Sequence, residues 1–258
     1  MSEENSMQTV TRTIQILKSF NKEENELSLA QLHQKLGLSK SSLQRILNTL
    51  VLKGFLEKDN KQKTYKLGME LYYLGNLVEE NSHLISTAKP YLKNLRDRLG
   101  ENVYLNILEN NERKCIAIEE AKQLLMPISY IGQTSPLYAG ASARVILAHL
   151  DSQKMDDYIK EIDLESITDM TVKDKPSLYE ELSIIQKNGY ALSFGERIPG
   201  VCSASAPIFN REGKILASLS VSAPIVRVNS EITAIFIDAI KDVAKLISNH
   251  LKFAHTNV

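Results

Sequence analysis

The order of apolar and polar residues along the first fifty positions predicts three short helices, because apolar residues recur every three or four positions. The stripes are Val10, Ile14, Leu17 and Phe20, then Leu29, Leu32 and Leu36, then Leu43, Ile46, Leu47 and Leu50. Ser28 and Gln31 form a capping box at the start of the second helix. Gly37 ends that helix, and Ser39 is placed to cap the third. Two helices joined by a three-residue turn that contains glycine are typical of a helix-turn-helix.

The segment after the third helix predicts a small β-hairpin. FLEKD (55–59) and KTYKL (63–67) have strand character, and a polar turn over 60–62 separates them. A hairpin that directly follows a helix-turn-helix is a wing. The first 68 residues therefore have the pattern of a winged helix-turn-helix.

Charge is distributed unevenly along a chain whose formal net charge is zero. Residues 1–68 contain 11 Lys and Arg against 7 Asp and Glu, a balance of +4, and the remainder contains 20 against 24, a balance of −4. Between positions 35 and 66, eight basic residues accompany two acidic ones. A basic end on a mildly acidic body is the electrostatic footprint of a protein that contacts a polyanion.

The polar face of the third helix contains residue types that read DNA bases. Arg45 and Gln44 can pair bidentately with guanine and adenine edges, and lysines of the same segment can neutralise phosphates. We therefore predict binding to double-stranded operator DNA. The residues assigned to this contact are Arg12, Lys40, Ser41, Ser42, Gln44, Arg45, Asn48, Lys58, Lys61, Lys63 and Lys66. A solvated helical subdomain that mediates protein contacts is the alternative interpretation.

Residues 69–100 also have helical spacing, with Leu71, Leu74, Leu77 and Val78 as apolar members. We predict that this helix is broken at Pro90, where a new helix begins. From residue 101 onward, five apolar runs predict strands, and helices are predicted near 142–150, 177–188 and 230–252. Strands mixed with helices and followed by a long helix suit an α+β domain.

Small hydroxyl residues are concentrated in two late predicted strands. Alternation places Ser203 and Ser205 on one face of their strand, and Ser220 and Ser222 on one face of the next. Such side chains leave room for a ligand and supply hydrogen-bond donors. Hydroxyls and backbone N–H groups can hold a small carboxylate without a cationic partner, which favours a small organic acid or similarly polar metabolite. The alternative is tight strand packing that selects Ser and Ala for their size alone.

Most of the chain resembles the IclR family of bacterial transcriptional regulators. The first 68 residues are similar to the winged helix-turn-helix of that family. SPLYAGASARVILA (135–148) is similar to the family stretch "LPLHATASGKALLA". NGYALSFGERIPGVCSASAPIFNREGKILASLSVSAP (188–224) is similar to the family segment "GYAVDDEEYEPGVRCVAAPVFD..G.VVAALSVSGP".

The chain departs from the family pattern at a few of these positions. Ser193 and Phe194 stand where the family usually has an acidic pair, and Ser203 stands where it usually has a cysteine. Ala143 and Arg144 replace the usual Gly-Lys.

The resemblance implies an α+β fold in which an N-terminal winged helix-turn-helix (1–68) is joined by a linker helix (69–86) to a GAF-like effector-binding domain (87–258). It implies a transcriptional regulator whose binding to its operator is modulated by a small-molecule effector, with repression as the typical mode. It also implies a homo-oligomer, a dimer or a tetramer, and a dimer suits a recognition helix that reads only a few base pairs. The family's pocket positions correspond to Ala141, Ser142, Ser193, Ser203, Ser220 and Ser222.

The alternative function is an enzyme that converts a small molecule and carries a nucleic-acid-binding module. Ser203 or Cys202 as a nucleophile would need a base, and neither lies in a G-x-S-x-G elbow. The sequence also contains neither a P-loop nor a G-x-G-x-x-G motif. We therefore predict no catalytic residue, no cofactor and no metal site, and we interpret Cys115 and Cys202 as buried thiols. The polar N-terminus and the lack of an apolar run of ~20 residues predict a cytoplasmic protein without membrane contact.

Overall fold

The computed structural model describes residues 7–121 and 129–253 of the chain. Contacts between residues divide the chain into two compact units, and the boundary between them along the chain falls between Asn81 and Ser82. Since the units are separate bodies, each is described by itself.

The N-terminal unit is a winged helix-turn-helix followed by one more helix. Its helices are α1 (Gln8–Lys18), α2 (Leu29–Leu36), α3 (Lys40–Leu52) and α4 (Met69–Asn81). Its strands are β1 (Leu27–Ser28), β2 (Leu56–Asp59) and β3 (Thr64–Leu67), in the antiparallel order β1-β3-β2. The pairing of Asp59 with Thr64 closes the predicted wing.

Local capping chemistry fixes the helix-turn-helix as predicted. The Ser28 side chain accepts a hydrogen bond from the Gln31 backbone N–H, and the Gln31 side chain accepts one from the Ser28 backbone N–H at 2.8 Å. Gly37 ends α2 in the left-handed conformation, with φ of 66°. The Ser39 side chain then caps α3 by accepting a hydrogen bond from Ser42. In each of these three signals the interacting residues lie within four positions of each other, so they can be predicted from the local sequence alone.

Only one side of α1 enters the core of this unit. Ile16 and Phe20 are buried with the apolar stripes of α2 and α3. The start of the apolar stripe lies outside this core, because Val10 and Ile14 remain 51% and 46% exposed. The helix turns its Ile16 side inward instead.

The break in the long helical segment lies at Ser82 and not at Pro90. Helix α4 ends at Asn81, and α5 (His83–Leu99) begins after Ser82, whose side chain accepts a hydrogen bond from the Ile85 backbone N–H. Pro90 lies in the interior of α5. A cap satisfies orphan N–H groups at a new helix start, whereas an interior proline removes one hydrogen bond and does not have to end the helix. The helix predicted over 69–86 therefore ends five residues early.

The C-terminal unit is an α+β domain built on one antiparallel sheet. After α5 come β4 (Asn102–Glu109), β5 (Glu112–Glu119) and β6 (Thr134–Pro136). They are followed by α6 (Ala141–Ala148), α7 (Ser152–Glu161), α8 (Lys175–Asn188), β7 (Ala191–Phe194), β8 (Val201–Phe209), β9 (Ile215–Pro224) and α9 (Ser230–Phe253). The strand order is β6-β5-β4-β9-β8-β7.

The two faces of this sheet have different chemistry. One face packs against α5 and α9 through a continuous apolar core that includes Leu105, Ala206, Leu219, Leu92 and Ile240. Because strand side chains alternate, the hydroxyl-bearing residues of β8 and β9 lie on the other face, towards α6. A second apolar cluster holds α6, α7 and α8 together on that side. The site described below lies between the sheet and α6.

Within the described residues, no helix combines the length and the apolar character needed to cross a membrane.

Candidate functional site

Helix α3 presents the polar face that the sequence predicts for DNA contact. Leu43 and Leu47 are fully buried and anchor the helix in the core. On the opposite side, Ser41, Arg45 and Asn48 are exposed. The remaining α3 residues assigned to DNA are Lys40, which is exposed, and Ser42 and Gln44, which are half-buried.

Gln44 is engaged inside the unit. Its Nε2 atom donates hydrogen bonds to Asn48 Oδ1 at 2.8 Å and to the Tyr65 hydroxyl at 3.2 Å. Tyr65 is a buried residue of β3, so this contact joins α3 to the wing. Gln44 thus helps to orient α3, and its assignment to a DNA base stays a prediction.

The wing lysines differ in their local contacts. Lys66 Nζ lies 3.0 Å from Glu57 Oε2, and Lys58 Nζ lies 5.7 Å from the ring centroid of Tyr65. Lys61 and Lys63 are exposed in the turn between β2 and β3, and neither forms an ion pair within the described part of the chain. Arg12 is half-buried on α1. The turn lysines are therefore the wing cations most available to a phosphate.

Strand register brings four of the predicted effector-binding serines together on one face of the sheet. Ser193 of β7 pairs with Ser203 of β8, which pairs with Ser222 of β9. Ser220 lies opposite Ser205. Ala141 and Ser142 approach from the first turn of α6. All six predicted residues, Ala141, Ser142, Ser193, Ser203, Ser220 and Ser222, line one cavity of about 30 Å³.

The hydroxyl groups of this face are hydrogen-bonded to one another. The distance between Ser203 Oγ and Ser222 Oγ is 2.7 Å. Ser205 Oγ bonds to Ser220 Oγ and donates to the Leu219 carbonyl at 3.0 Å. Buried hydroxyls need such partners, since an unpaired one costs about 1–3 kcal/mol. The serines therefore form an ordered polar surface inside the domain.

Arg113 extends this network, and sequence reasoning did not identify it as a site residue. It is only 1% exposed. Its Nε donates to Ser135 Oγ at 2.9 Å, and its Nη1 donates to Asn106 Oδ1 at 2.9 Å. Its Nη2 atom is buried and has no hydrogen-bond partner, and no carboxylate of the described residues forms an ion pair with it. Burial, together with the positive charge of Arg197, lowers the pKa of Arg113 to about 10.

The loop between β7 and β8 adds an acidic and a second basic residue to the cavity. Glu196 accepts a hydrogen bond from the Gly140 backbone N–H at 3.2 Å, and it forms an ion pair with Arg144. Burial raises the pKa of Glu196, although the Arg144 charge opposes this shift. Arg197 also lines the cavity, and burial lowers the pKa of its guanidinium.

The cavity residues that the sequence did not predict include aromatic, apolar, amide, acidic and basic side chains, among them two arginines. Arg113 could have been found, because strand alternation places it on the same inward side as buried Cys115. Arg197 lies in a loop, where no periodic signal indicates direction. The sequence argument uses only hydroxyls and backbone N–H groups to hold a small carboxylate, and this cavity adds two arginines to them.

The structure also shows the surroundings of the cysteines and of the Ser203 hydroxyl. Cys115 and Cys202 are both free and buried, as predicted. Ser203 Oγ is bonded to another hydroxyl. In residues 7–121 and 129–253, no three His, Cys, Asp or Glu side chains cluster in a way that could hold a metal ion.

Known proteins share both units of this chain. A family model described as "IclR helix-turn-helix domain" matches residues 9–60, and one described as "Bacterial transcriptional regulator IclR C-terminal" matches residues 77–249. The HTH-type transcriptional regulator XynR of Escherichia coli is 30% identical over 247 residues, which cover 96% of this chain and 98% of XynR.

Solved structures show the same fold. The crystal structure of an IclR transcriptional regulator from Alicyclobacillus acidocaldarius superposes with a TM-score of 0.86 at 24% identity, covering 95% of this chain and 99% of that one. An IclR homologue from Microbacterium hydrocarbonoxydans, solved in complex with 4-hydroxybenzoate, gives 0.82 at 22% identity, with 94% and 98% covered. The family models together match most of the chain, which therefore belongs to the IclR family of transcriptional regulators, with a helix-turn-helix DNA-binding domain and a C-terminal effector domain.

Proposed function

We propose that residues 1–68 bind operator DNA through α3 and the wing, and that residues 87–258 bind a small organic acid that changes operator binding. In this proposal residues 69–86 link the two domains and are not one continuous helix, since α4 ends at Asn81. The observation that carries the proposal is a buried guanidinium, Arg113, which has an unpartnered nitrogen in a cavity lined by hydroxyl groups.

The proposed DNA contact rests on the exposure of α3. Arg45 is the exposed residue of this helix that can pair bidentately with a guanine edge. Lys61 and Lys63 would contact phosphates, which position the protein without reading sequence. Arg45 therefore supplies selectivity, and the wing supplies affinity that depends on salt.

The proposed effector site rests on the charge and the hydrogen-bonding capacity of the cavity. A carboxylate can accept a hydrogen bond from Arg113 Nη2 and from hydroxyls such as those of Ser142 and Ser203. The Microbacterium homologue was solved with 4-hydroxybenzoate, which is itself a carboxylic acid. We propose binding and release without a catalytic step, since Ser203 Oγ is bonded to Ser222 and not to a base.

The proposed assembly is a homodimer formed through the N-terminal unit. Helix α4 has no buried residue, and Tyr72, Leu77 and Val78 on it are 64%, 54% and 68% exposed. An isolated helix of 13 residues is marginal in water, so its apolar side chains need a partner surface. A second copy would also supply the second recognition helix that an operator with two half-sites requires.

The DNA-binding part is tested by selecting bound sequences from a random DNA library with the full-length chain. We expect Arg45→Ala to cost about 1–3 kcal/mol on the selected sequence and to relax its preference at one position. Lys63→Ala should weaken binding to all sequences equally and reduce the slope of log affinity against log salt by about one.

Lys93→Ala, at an exposed position of α5, is the matched control and should change neither quantity. If both N-terminal variants lose the same affinity on selected and on random DNA, α3 is not the reading helix. If the library yields no preferred sequence, the proposed operator function itself fails.

A further inference from the structure

We propose that the effector is a short-chain dianion, a small dicarboxylate, held between Arg113 at the base of the cavity and Arg197 at its more exposed side. The inference rests on the proposed effector function and specifies the class of ligand. It also makes Arg197 the residue that separates dicarboxylates from monocarboxylates.

The first half of the argument is the missing counter-charge of Arg113. A buried cation is expensive unless an anion or a full set of hydrogen bonds compensates it. Arg113 has two neutral acceptors, Asn106 and Ser135, while Nη2 has no partner among the described residues. One carboxylate at Nη2 would supply both the charge and the missing acceptor.

The second half is that Arg197 remains uncompensated when that first carboxylate is bound. Arg197 lines the same cavity, and no hydrogen bond or ion pair within the described part of the chain engages its guanidinium. The charges of Arg113 and Arg197 oppose each other, since the proximity of Arg197 contributes to the lowered pKa of Arg113. A single negative charge cannot neutralise two cations, whereas a dianion can.

Glu196 does not fill the role of the second anion. Although it lines the cavity, its carboxylate is in an ion pair with Arg144 and accepts a hydrogen bond from the Gly140 N–H. Arg144 is itself buried, with 5% exposure, and donates to the Leu192 carbonyl at 2.8 Å. Glu196 thus pairs with Arg144, which also pairs with Glu181, and no ion pair within the described residues joins Glu196 to Arg113 or Arg197, so both of these guanidiniums remain available to the ligand.

The size of the cavity requires a lining side chain to move when the dianion binds. A volume of about 30 Å³ accommodates roughly two water molecules. An acid therefore enters only if a lining side chain moves, and Arg197 is half-buried in a loop while Arg113 is fixed within a strand. A chain of a few carbons would place one carboxylate on Arg113 and the other on the displaced Arg197.

The experiment is calorimetric titration of the full-length protein with acids matched in length and differing in charge. Succinate is compared with butyrate, and glutarate with valerate, in a series from three to eight carbons at constant ionic strength. We expect at least one dicarboxylate to bind ten-fold or more tightly than its matched monocarboxylate. Chloride at the same ionic strength tests for nonspecific anion binding and should not compete.

The discriminating variant is Arg197→Gln, which removes the positive charge and leaves a shorter polar side chain at a half-buried loop position where misfolding is not expected. It should remove the ten-fold preference for the dicarboxylate while changing monocarboxylate affinity less than three-fold. Arg211→Gln removes an exposed arginine outside this cavity and should leave the preference intact.

Equal affinity for dicarboxylates and monocarboxylates, or a preference that survives Arg197→Gln, overturns the dianion and leaves the proposed regulator standing. The same holds if no dicarboxylate in the series binds. The proposed operator function is tested separately by the DNA library, and it fails if the library yields no preferred sequence.

Discussion

Burial is the main cause of the raised pKa values of two side chains in the C-terminal sheet. Cys202 lies in β8 with 0% exposure, and burial raises the pKa of its thiol to about 11. Burial also raises the pKa of Tyr104 to about 12, although the Asn102 side chain opposes this shift. Both groups must stay neutral in the folded protein, because the charged forms would be poorly solvated.

The Cys202 thiol makes the free energy of unfolding depend on pH above 9. The unfolded thiol ionises near its ordinary pKa of 9.0, while the pKa of the folded thiol is about 11, so stability is fully present below pH 9 and is lost as pH rises towards 11. Between pH 8 and pH 10 this group should cost about 1 kcal/mol. Urea unfolding followed by circular dichroism should show that Cys202→Ala loses less stability over this interval. Identical pH slopes in both proteins would contradict the assignment.

At the scale of single residues, the sequence predicts which face of a strand a side chain lies on better than it predicts the hydrogen-bond partners of that side chain. The inward orientation of Ser203, Ser220 and Ser222 follows from strand alternation, and all three line the cavity. The partners of Arg113 come from strands β4 and β6, and only the strand order shows that they converge. The basic character of the cavity therefore could not be predicted from alternation alone.

At the scale of elements, the helix ends that depend on neighbouring residues are predicted correctly, whereas elements that depend on distant parts of the chain are not. The caps of α2 and α3 were predicted because the partners lie within three or four residues. The short strand β6 and helix α7 were not predicted. The three residues of β6 are held by pairing with β5, which lies more than ten positions earlier in the chain. The predicted helix break at Pro90 is wrong, because α5 already begins after the Ser82 cap and continues through Pro90.

Gly68 connects the wing to α4 at a position where a side chain does not fit. An added Cβ would lie 2.1 Å from the Gly54 carbonyl oxygen, which is a backbone atom and cannot move aside like a side chain. Gly68 also donates its N–H to the Phe55 carbonyl at 2.8 Å, so the two segments are held together. We expect Gly68→Ala to destabilise the winged helix by about 1–3 kcal/mol.

The matched control for this change is Gly75→Ala in α4, where an added Cβ would meet nothing within 4 Å. That substitution should be neutral or should stabilise the helix by up to about 1 kcal/mol. Hydrogen exchange of the β2 and β3 amides in the full-length chain is the measurement. Faster exchange only in Gly68→Ala supports the close-contact argument, and unchanged protection in that variant would contradict it.

At the scale of the whole molecule, the distribution of exposed apolar residues bears on assembly. In the described part of the N-terminal unit they concentrate on α4 and on the start of α1, where Val10 and Ile14 are exposed. The sequence marked these residues as apolar stripes, but a stripe alone does not say whether it faces the core of its own chain or another molecule. The winged-helix core is complete without them, so a surface that covers them has to lie outside that core.

If that partner is the α4 of a second copy, a charge placed on this helix should separate the dimer without unfolding the chain. We expect Leu77→Glu to convert the dimer to a monomer in light scattering after size-exclusion chromatography, because an unpaired carboxylate would have to be buried at the interface. Leu52→Glu introduces the same charge at an 81% exposed leucine of α3, outside α1 and α4, and should leave the oligomeric state unchanged. The Leu77 variant should also lose affinity for an operator with two half-sites far more than for a single half-site, because only a dimer contacts both at once. A Leu77→Glu protein that remains a dimer with full operator affinity would place the interface on another surface.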